Sequence, residues 1–177
     1  ILIGNDGGVY YSSNAGNKNT SSPTFSKRVK GYNVTQFYSA AVHPSSGSNY
    51  MLAGAQDNGS LKLNTAGVGA GTEVTGGDGA FCFIDQDNSS YQITSYVRNN
   101  WRRTTNGGSS FSTIQSGNDG SFINPADYDD NKNILYSAKS TTQLNRITNM
   151  TSSSVSTGAI TISGMSGMAS HVRVSPY

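Results

Sequence analysis

"ITSYVRNNWRRTTN", residues 93–106, has three counterparts elsewhere in the same chain. They are "ILIGNDGGVYYSSN" (1–14), "MLAGAQDNGSLKLN" (51–64) and "YSAKSTTQLNRITN" (136–149), and each combines apolar positions with a polar turn and ends on asparagine. The four terminal asparagines lie 50, 42 and 43 residues apart. A period of about 40–45 residues with several short strands per unit is typical of β-propeller blades, which bury their sheet faces against neighbouring blades.

A second series of segments keeps a similar spacing. Each member is an apolar strand followed by a polar turn: "AAVHP" (40–44), "FCFIDQD" (81–87), "INPADYD" (123–129) and "VRVSP" (172–176). Together the two series predict an all-β fold. The architecture expected is a β-propeller of four-stranded antiparallel blades, with about four blade equivalents in this chain.

The two series also predict where each repeat unit begins and ends. The approximate units are 1–35, 36–78, 79–119 and 120–168, with 169–177 starting or closing a further blade. In the third unit the apolar runs predict strands over 79–85, 91–96, 100–104 and 110–114. If the last segment pairs beside the first strand, four blades close a ring. The alternative, which we favour because the chain begins inside an apparent strand, is a section of a larger propeller.

Composition favours strands over helices and argues against several functions. Only 12% of the 177 residues are charged, and Glu73 is the only glutamate, which is a poor composition for solvated helices. A net charge of +2 without a long basic run argues against nucleic-acid binding, and no apolar stretch is long enough for membrane insertion. Cys82 has no partner for an internal disulfide and lies between two phenylalanines, so we predict a buried structural thiol. Structural roles are also predicted for His43 and His171.

The chain contains one nearly complete copy of a known hairpin motif. "TTNGGSSF" (104–111) matches the Asp-box, or BNR, pattern Ser/Thr-x-Asp-x-Gly-x-Thr/Ser-Trp/Phe, with Asn106 in place of the aspartate. "SSNAG" (12–16) begins the same box, and Phe25 can supply its aromatic residue after an insertion. With these boxes, nearly the whole chain resembles the BNR propellers of bacterial secreted and cell-surface proteins, which include sialidase-like, sortilin-like and xyloglucanase-like members.

This resemblance implies a structural role for the motif. In the family the box forms the hairpin between the third and fourth strands of a blade. A short acceptor side chain there bonds backbone N–H groups, and glycines accept positive φ. The residues implied to be scaffold are Asn14, Gly16, Asn106, Gly108 and Phe111. The resemblance also implies a bacterial protein that is secreted or held at the cell surface.

Four short acidic turns raise a separate question of function. They are "NDGG" (5–8), "QDNG" (56–59), "GGDG" (76–79) and "GNDG" (117–120). The first two are expected between the second and third strands of a unit, and the last two between consecutive units. Both kinds of connection emerge on the same side of an up-and-down blade. The aspartates expected on that side are Asp6, Asp57, Asp78 and Asp119.

Two interpretations of these turns stay open. Asp and Gly are ordinary turn residues, so the turns can be purely structural. Alternatively, carboxylate and amide groups beside aromatic rings can bind a carbohydrate, and clustered oxygen atoms can bind Ca²⁺, although no EF-hand spacing is present. The predicted ligand-contacting residues are Asp57, Asn58, Asp78, Asp119 and Trp101, with Tyr32, Tyr38 and Tyr96 as further aromatic candidates. No organic cofactor is predicted, and the metal ligands are left open.

The function expected is that of a non-catalytic binding or adhesion propeller that contacts a polysaccharide or another surface protein. One alternative is a xyloglucanase-like glycoside hydrolase, or part of one, with its carboxylates drawn from Asp6, Asp57 and Asp78. A sialidase is disfavoured because Glu73 is the only glutamate and the arginines do not follow a matching pattern. A further alternative is a structural module of a surface assembly, with the rest of a larger chain or further copies as its partners.

Overall fold

A computed structural model describes residues 1–5, 7–19, 21–30, 35–67 and 69–175. Every regular element assigned in these residues is a β-strand, and all the strands pair antiparallel, so the predicted all-β class is confirmed. No helix in the described part of the chain is long and apolar enough to span a bilayer.

The chain divides into two compact units, Ile1–Thr35 and Gln36–Tyr177. The first unit contains one sheet, called here the first sheet, with the strand order β1-β2-β3. Its strands are β1 (Leu2–Asn5), β2 (Gly8–Tyr11) and the short β3 (Ser26–Lys27).

The second unit contains three four-stranded sheets that follow one another along the chain. The second sheet consists of β4 (Phe37–Val42), β5 (Met51–Ala55), β6 (Gly59–Leu63) and β7 (Thr72–Thr75). The third consists of β8 (Cys82–Ile84), β9 (Gln92–Ser95), β10 (Trp101–Thr104) and β11 (Ser112–Gln115). The fourth consists of β12 (Ala126–Asp129), β13 (Ile134–Ala138), β14 (Gln143–Thr148) and β15 (Ser156–Thr161).

Each of these sheets is a meander in which consecutive strands are neighbours. The four strands predicted for the third unit are all present, and each ends within a few residues of its predicted bounds. The segment 169–177, predicted to start or close a blade, forms no strand in its described residues 169–175. Residues 172–174 run beside β12, where the backbone N–H of Val174 donates to the Asp127 carboxylate (2.8 Å). The Val174 N–H is therefore bonded to the Asp127 side chain and not to the backbone of a neighbouring strand.

The core lies between the sheets of the second unit. Leu52 of the second sheet packs with Cys82 and Ile84 of the third, and Phe111 lies against this cluster. A larger cluster joins the third and fourth sheets and contains Ile93, Trp101, Ala126, Leu135, Ile147 and Met150. The predicted burial of Cys82 is confirmed, since it is 3% exposed, and burial raises the pKa of its thiol to about 12.

Glycines let the backbone of the second sheet pack closely against the connection that leads to the third. A Cβ on Gly54 would lie 1.9 Å from the carbonyl oxygen of Ala80, and one on Gly59 would lie 2.1 Å from that of Thr75. Gly59 also has a φ of 68°, a conformation that favours glycine. Gly79 closes the contact because its N–H donates to the carbonyl oxygen of Ala55 (2.9 Å).

Candidate functional site

The connections of the second unit gather at two opposite ends of its sheets. At one end, the turn between the first two strands of a sheet meets the hairpin between its last two strands. In the third sheet, for example, the Gly107 N–H donates to the Ser90 carbonyl oxygen (3.0 Å). At the other end, the turn between the two middle strands meets the connection to the next sheet, and in the second sheet the Gly59 N–H donates to the Gly77 carbonyl oxygen (2.7 Å). We call this second end the acidic-turn face. It is formed by residues 56–58, 76–79, 96–100 and 117–120.

Asp57 and Asp78 come together on the acidic-turn face. The backbone N–H of Asp57 donates to Oδ1 of Asp78 (3.1 Å), so the second carboxylate caps the turn that carries the first. Asp57 has a φ of 57°, which Asp and Asn tolerate better than most residues. Asn58 stabilises the same turn through its side-chain amide, which donates to the Gln56 carbonyl oxygen (2.8 Å). Asp57 and Asn58 are exposed and Asp78 is half-buried.

An aromatic ring lies against the backbone just before Asp78. A Cβ on Gly77, the residue before Asp78, would meet Cε2 of Tyr96 at 2.5 Å, so only glycine leaves room for the ring. Tyr96 is 39% exposed, and its backbone N–H is held by the Asn100 carbonyl oxygen (3.0 Å). The ring is therefore positioned by the backbone and still accessible to a ligand.

Asp119 lies at the equivalent connection one sheet later but is tied to protein groups. Its Oδ1 accepts a hydrogen bond from Asn99 Nδ2 (2.7 Å), and its Oδ2 forms a short ion pair with Lys139. Burial would raise the pKa of Asp119, but the hydrogen bonds from Lys139 and Asn99 outweigh this effect and leave the pKa below its ordinary value. The carboxylate predicted to contact a ligand is thus engaged in joining the third and fourth sheets.

Asn99 is the centre of a buried polar network that the sequence did not reveal. Its Oδ1 accepts hydrogen bonds from Trp101 Nε1 (3.1 Å), Asn124 Nδ2 (2.9 Å) and Ser137 Oγ (2.6 Å). Its Nδ2 donates to the Ala138 carbonyl oxygen (2.9 Å). Because Asn99 is 0% exposed, these bonds satisfy groups that water cannot reach. Asparagines in turns are common, so only the fold distinguishes this one.

The aromatic residues predicted as ligand platforms have different fates. Trp101 is 0% exposed and lies in the core between the third and fourth sheets, so the ligand-contacting role predicted for it does not fit. Its ring packs where β10 faces the next sheet, and no ring surface is left for a sugar. Tyr38 is half-buried on β4. Tyr32 and the aspartate Asp6 lie outside the described residues.

The 104–111 hairpin is closed by side-chain bonds of two residues. Oγ1 of Thr104 accepts hydrogen bonds from the N–H groups of Asn106 and Gly108 (both 3.2 Å), and it donates to Oδ1 of Asn106 (2.7 Å). The same Oδ1 accepts the N–H of Ser110 (3.0 Å), which spans the hairpin. Asn106 thus makes the cross-turn bond expected of the box aspartate.

The 12–25 hairpin repeats this pattern around a longer loop. Oγ of Ser12 accepts the N–H groups of Asn14 (3.3 Å) and Ala15 (2.9 Å) and donates to Oδ1 of Asn14 (2.9 Å). That Oδ1 accepts the N–H of Thr24 (3.0 Å), the residue before Phe25. The Thr24 N–H thus spans this longer loop as the Ser110 N–H spans the 104–111 hairpin, and Phe25 follows Thr24 as Phe111 follows Ser110.

A groove of about 400 Å³ lies where β4, β8 and β12 come together. Side chains satisfy the backbone of the β8 edge there: Ser39 Oγ donates to the Ala80 carbonyl oxygen (3.0 Å) and accepts the Cys82 N–H (2.8 Å). Farther along, Tyr128 of β12 donates to the Asp85 carboxylate (2.7 Å), and burial, followed by this hydrogen bond, raises the pKa of Tyr128. These bonds connect the first strands of successive sheets.

Metal ligands and known relatives give no further guide to the site. Within the described ranges, no three His, Cys, Asp or Glu side chains form a group that could hold a metal ion. His43 accepts the Ser45 N–H (3.2 Å) and meets the Tyr50 ring edge-on, while His171 is exposed. No family model matches the chain, and a search of curated proteins finds no similar sequence. The geometry of the acidic-turn face is therefore the basis for assigning a function.

Proposed function

We propose that the chain is a section of an Asp-box β-propeller. Its sheets are successive meanders, which is the connectivity of propeller blades. In Gln36–Tyr177, β4, β8 and β12 border one groove, as the innermost strands of radially packed blades do. The shared bonding pattern of the 12–25 and 104–111 hairpins supports the Asp-box assignment. By the resemblance of these boxes, the protein is secreted by, or displayed on, a bacterial cell.

The proposed activity is non-catalytic binding of a polysaccharide, or of another surface protein, at the acidic-turn face. The observation that carries this proposal is the bond from the Asp57 N–H to the Asp78 carboxylate, together with the partly exposed ring of Tyr96 that lies against the neighbouring Gly77. Among the described residues, no side chain or backbone group is bonded to the Asp57 carboxylate or to the amide oxygen of Asn58. These acceptors are available to a ligand.

Carbohydrates suit this combination of groups. Sugar hydroxyls donate to carboxylate and amide oxygens, and the C–H face of a sugar ring packs on an aromatic side chain. Asp57, Asn58 and Tyr96 supply both kinds of contact within one small region. A Ca²⁺ ion held between the sugar hydroxyls and the carboxylates of Asp57 and Asp78 would also bind the carbohydrate to this face, since Ca²⁺ takes oxygen ligands.

Binding is favoured over glycoside hydrolysis by the way the carboxylates are used. A hydrolase needs two carboxyl groups free to act on either side of the glycosidic bond. Of the carboxylates considered for hydrolysis, Asp6 lies outside the described residues, and Oδ1 of Asp78 already accepts the N–H of Asp57. The bond to Asp78 stabilises the turn, and the exposed carboxylate of Asp57 can bind a ligand without taking part in a reaction.

The experiment is a polysaccharide and glycoprotein array with and without Ca²⁺, followed by titration of the best ligand. Asp57→Gly removes the carboxylate at a position whose φ of 57° glycine accepts, and Tyr96→Ala removes the ring. Asp87→Gly is the matched control, because Asp87 is exposed on the opposite end of the third sheet. We expect each of the first two variants to weaken binding about tenfold or more, or roughly 1.4 kcal/mol, and the control to bind normally.

Three results would count against this function. Equal binding by all the variants would move the ligand to another surface. Failure of the wild-type protein to bind anything on the array would leave the turns as scaffold. Release of soluble sugar from a bound polymer, abolished by Asp57→Gly, would replace the binding proposal with the hydrolase.

A further inference from the structure

Two turns on the acidic-turn face hold a charged residue in a left-handed backbone conformation. Asp57 has a φ of 57° in the turn between β5 and β6, and Arg98 has a φ of 59° in the turn between β9 and β10. Aspartate tolerates this conformation better than most residues, but for arginine it is uncommon, and glycine adopts it without strain. Backbone strain of this kind is concentrated at functional sites. We therefore expect the Arg98 side chain to have a role that glycine cannot fill.

Arg98 is held in place by the connection between the third and fourth sheets. Its backbone N–H donates to the Phe122 carbonyl oxygen (2.9 Å). Its Nη1 donates to the carbonyl oxygens of Asn118 (3.3 Å) and Gly120 (3.4 Å). Arg98 is exposed, and no other nitrogen of its guanidinium has a hydrogen-bond partner among the described residues. The edge formed by Nε and Nη2, which can hold a planar anion through two parallel bonds, is therefore available to a ligand.

The charge of Arg98 is not balanced within the described part of the chain. None of the ion pairs formed there includes Arg98. Asp119 lies between the two residues whose carbonyls bind Arg98, but its carboxylate oxygens accept hydrogen bonds from Asn99 and Lys139 instead. Because Lys139 balances Asp119, Arg98 leaves this end of the third sheet positive. The aspartates of the second sheet leave its turns negative, so the acidic-turn face carries both signs of charge.

Two exposed aromatic residues belong to the same part of the face. Tyr96 precedes Arg98 by two residues in the same turn and is 39% exposed, and its ring lies against the backbone of Gly77. Phe122, whose carbonyl oxygen binds the Arg98 backbone, is 54% exposed. An available guanidinium next to exposed rings is a combination typical of binding surfaces, since each ring offers an apolar platform and the cation offers directed hydrogen bonds.

We propose that the ligand of the acidic-turn face is a polysaccharide that contains uronic acids, and that the guanidinium of Arg98 binds a sugar carboxylate. This inference rests on the proposed function and names the class of polysaccharide. A carboxylate is planar and matches the Nε–Nη2 edge of arginine. Hydroxyls farther along the polymer donate to Asp57 and Asn58, and a sugar ring packs on Tyr96.

The spacing of the sheets allows one polymer to reach both charged turns. Packed sheets lie about 10 Å apart, so a ligand that contacts the turns of the second and third sheets is an oligomer and not a single sugar. That distance also exceeds the Debye length of about 8 Å at physiological salt. Repulsion between the acidic turns and a carboxylate bound at Arg98 is therefore largely screened.

The test is titration of the full chain with polygalacturonate and with alginate, at about 0.15 M salt and without Ca²⁺. The fully methyl-esterified form of polygalacturonate has the same backbone without the charge. Dextran sulfate measures attraction to any polyanion. The wild-type protein should bind one of the two polyuronates about tenfold or more tightly than the ester, and more tightly than dextran sulfate.

Arg98→Gly separates binding from folding, because glycine suits the left-handed conformation. Its melting temperature should equal or exceed that of the wild type, while polyuronate binding falls about tenfold or more, to the level of the ester. Arg98→Lys keeps the charge but lacks the planar edge, so it should also bind less tightly than the wild type. Two controls lie at the opposite end of the sheets: Asn149→Gly at another left-handed position (φ 61°), and Lys132→Gln, which removes an exposed cation. Both should bind like the wild type.

The outcomes distinguish this inference from the function on which it rests. Equal binding of a polyuronate by the wild type and Arg98→Gly overturns the inference, and so does equal binding of the acid and the ester, or of a polyuronate and dextran sulfate. If a neutral polysaccharide binds and the Asp57→Gly and Tyr96→Ala variants lose it, the proposed function stands without the uronic acid. Failure of the wild-type protein to bind any polymer, charged or neutral, counts against both.

Discussion

Replacing Asn99 with alanine should be among the most damaging single changes to this fold. Asn99 is the one hydrogen-bond partner of the buried Trp101 Nε1 in the described part of the chain, and losing it leaves an unsatisfied donor, which costs about 1–3 kcal/mol. Asn124, Ser137 and Asn145 also lose a bond to Asn99, but each keeps another partner, so each loss costs less. With the small cavity that remains, the free energy of unfolding should fall by about 3–5 kcal/mol.

The assay is urea denaturation followed by tryptophan fluorescence. Trp101 is the only tryptophan and lies at the centre of the affected region, so the signal reports directly on this network. With an m-value of about 2 kcal/mol per M, the midpoint of Asn99→Ala should fall by about 2 M urea. Asn58→Ala is the control, because the exposed Asn58 bonds only within its own turn, and its midpoint should change little.

A specific result would refute this reasoning. If Asn99→Ala unfolds within about 0.5 kcal/mol of the wild type, the network does not stabilise the interface between the third and fourth sheets. If Asn58→Ala is equally damaging, the loss belongs to turn asparagines in general and not to the buried position.

Two further predictions follow from close contacts and from charge. Gly54→Ala should lower the free energy of unfolding in urea by about 1–3 kcal/mol or more, because the new Cβ would overlap the Ala80 carbonyl oxygen. The control is Gly158→Ala, whose new Cβ would have no described atom within 4 Å and should be nearly neutral. Equal effects of the two variants would contradict the packing argument. The folded pKa of Asp119 is lowered, so its contribution to stability is present above the ordinary aspartate pKa of about 3.9 and is lost as the pH falls toward the folded value. Asp119→Asn should therefore be less stable than the wild type at neutral pH and show a flatter loss of stability in acid, and parallel pH profiles by thermal melting would exclude this role.

The sequence predicted the strands well because strand formation here depends on a local, repeated pattern. In the third unit, apolar residues alternate between Gly and Asn turns, and each predicted strand is present at its expected place. Residues 172–174 carry the same apolar pattern but form no strand. A strand forms only where its backbone can bond to the backbone of a neighbouring strand, and the Val174 N–H bonds to the Asp127 carboxylate instead.

The role of Trp101 could not be read from its surroundings in the sequence. It follows "VRNN" and precedes two arginines, which suggests an exposed turn. Its burial is decided by the register of β10 against β9, which places Trp101 opposite Ser95 on the side of the next sheet. Ser60 takes the equivalent position in the second sheet and is also buried, but a serine gives no apolar signal that would mark the position.

The two interpretations of the acidic turns, scaffold and binding site, need not exclude each other. Asp78 and Asp119 lie 41 residues apart at equivalent connections, and each carboxylate bonds to the turn between the middle strands of its sheet. This shared bond explains why the chain repeats an aspartate there. The neighbours then differ: Lys139 binds the second oxygen of Asp119, whereas Asp78 accepts the N–H of the exposed Asp57 and follows Gly77, whose backbone lies against the ring of Tyr96. A repeated structural residue thus gives one sheet a closed junction and another sheet an accessible acidic surface, and only the accessible surface offers a carboxylate to a ligand.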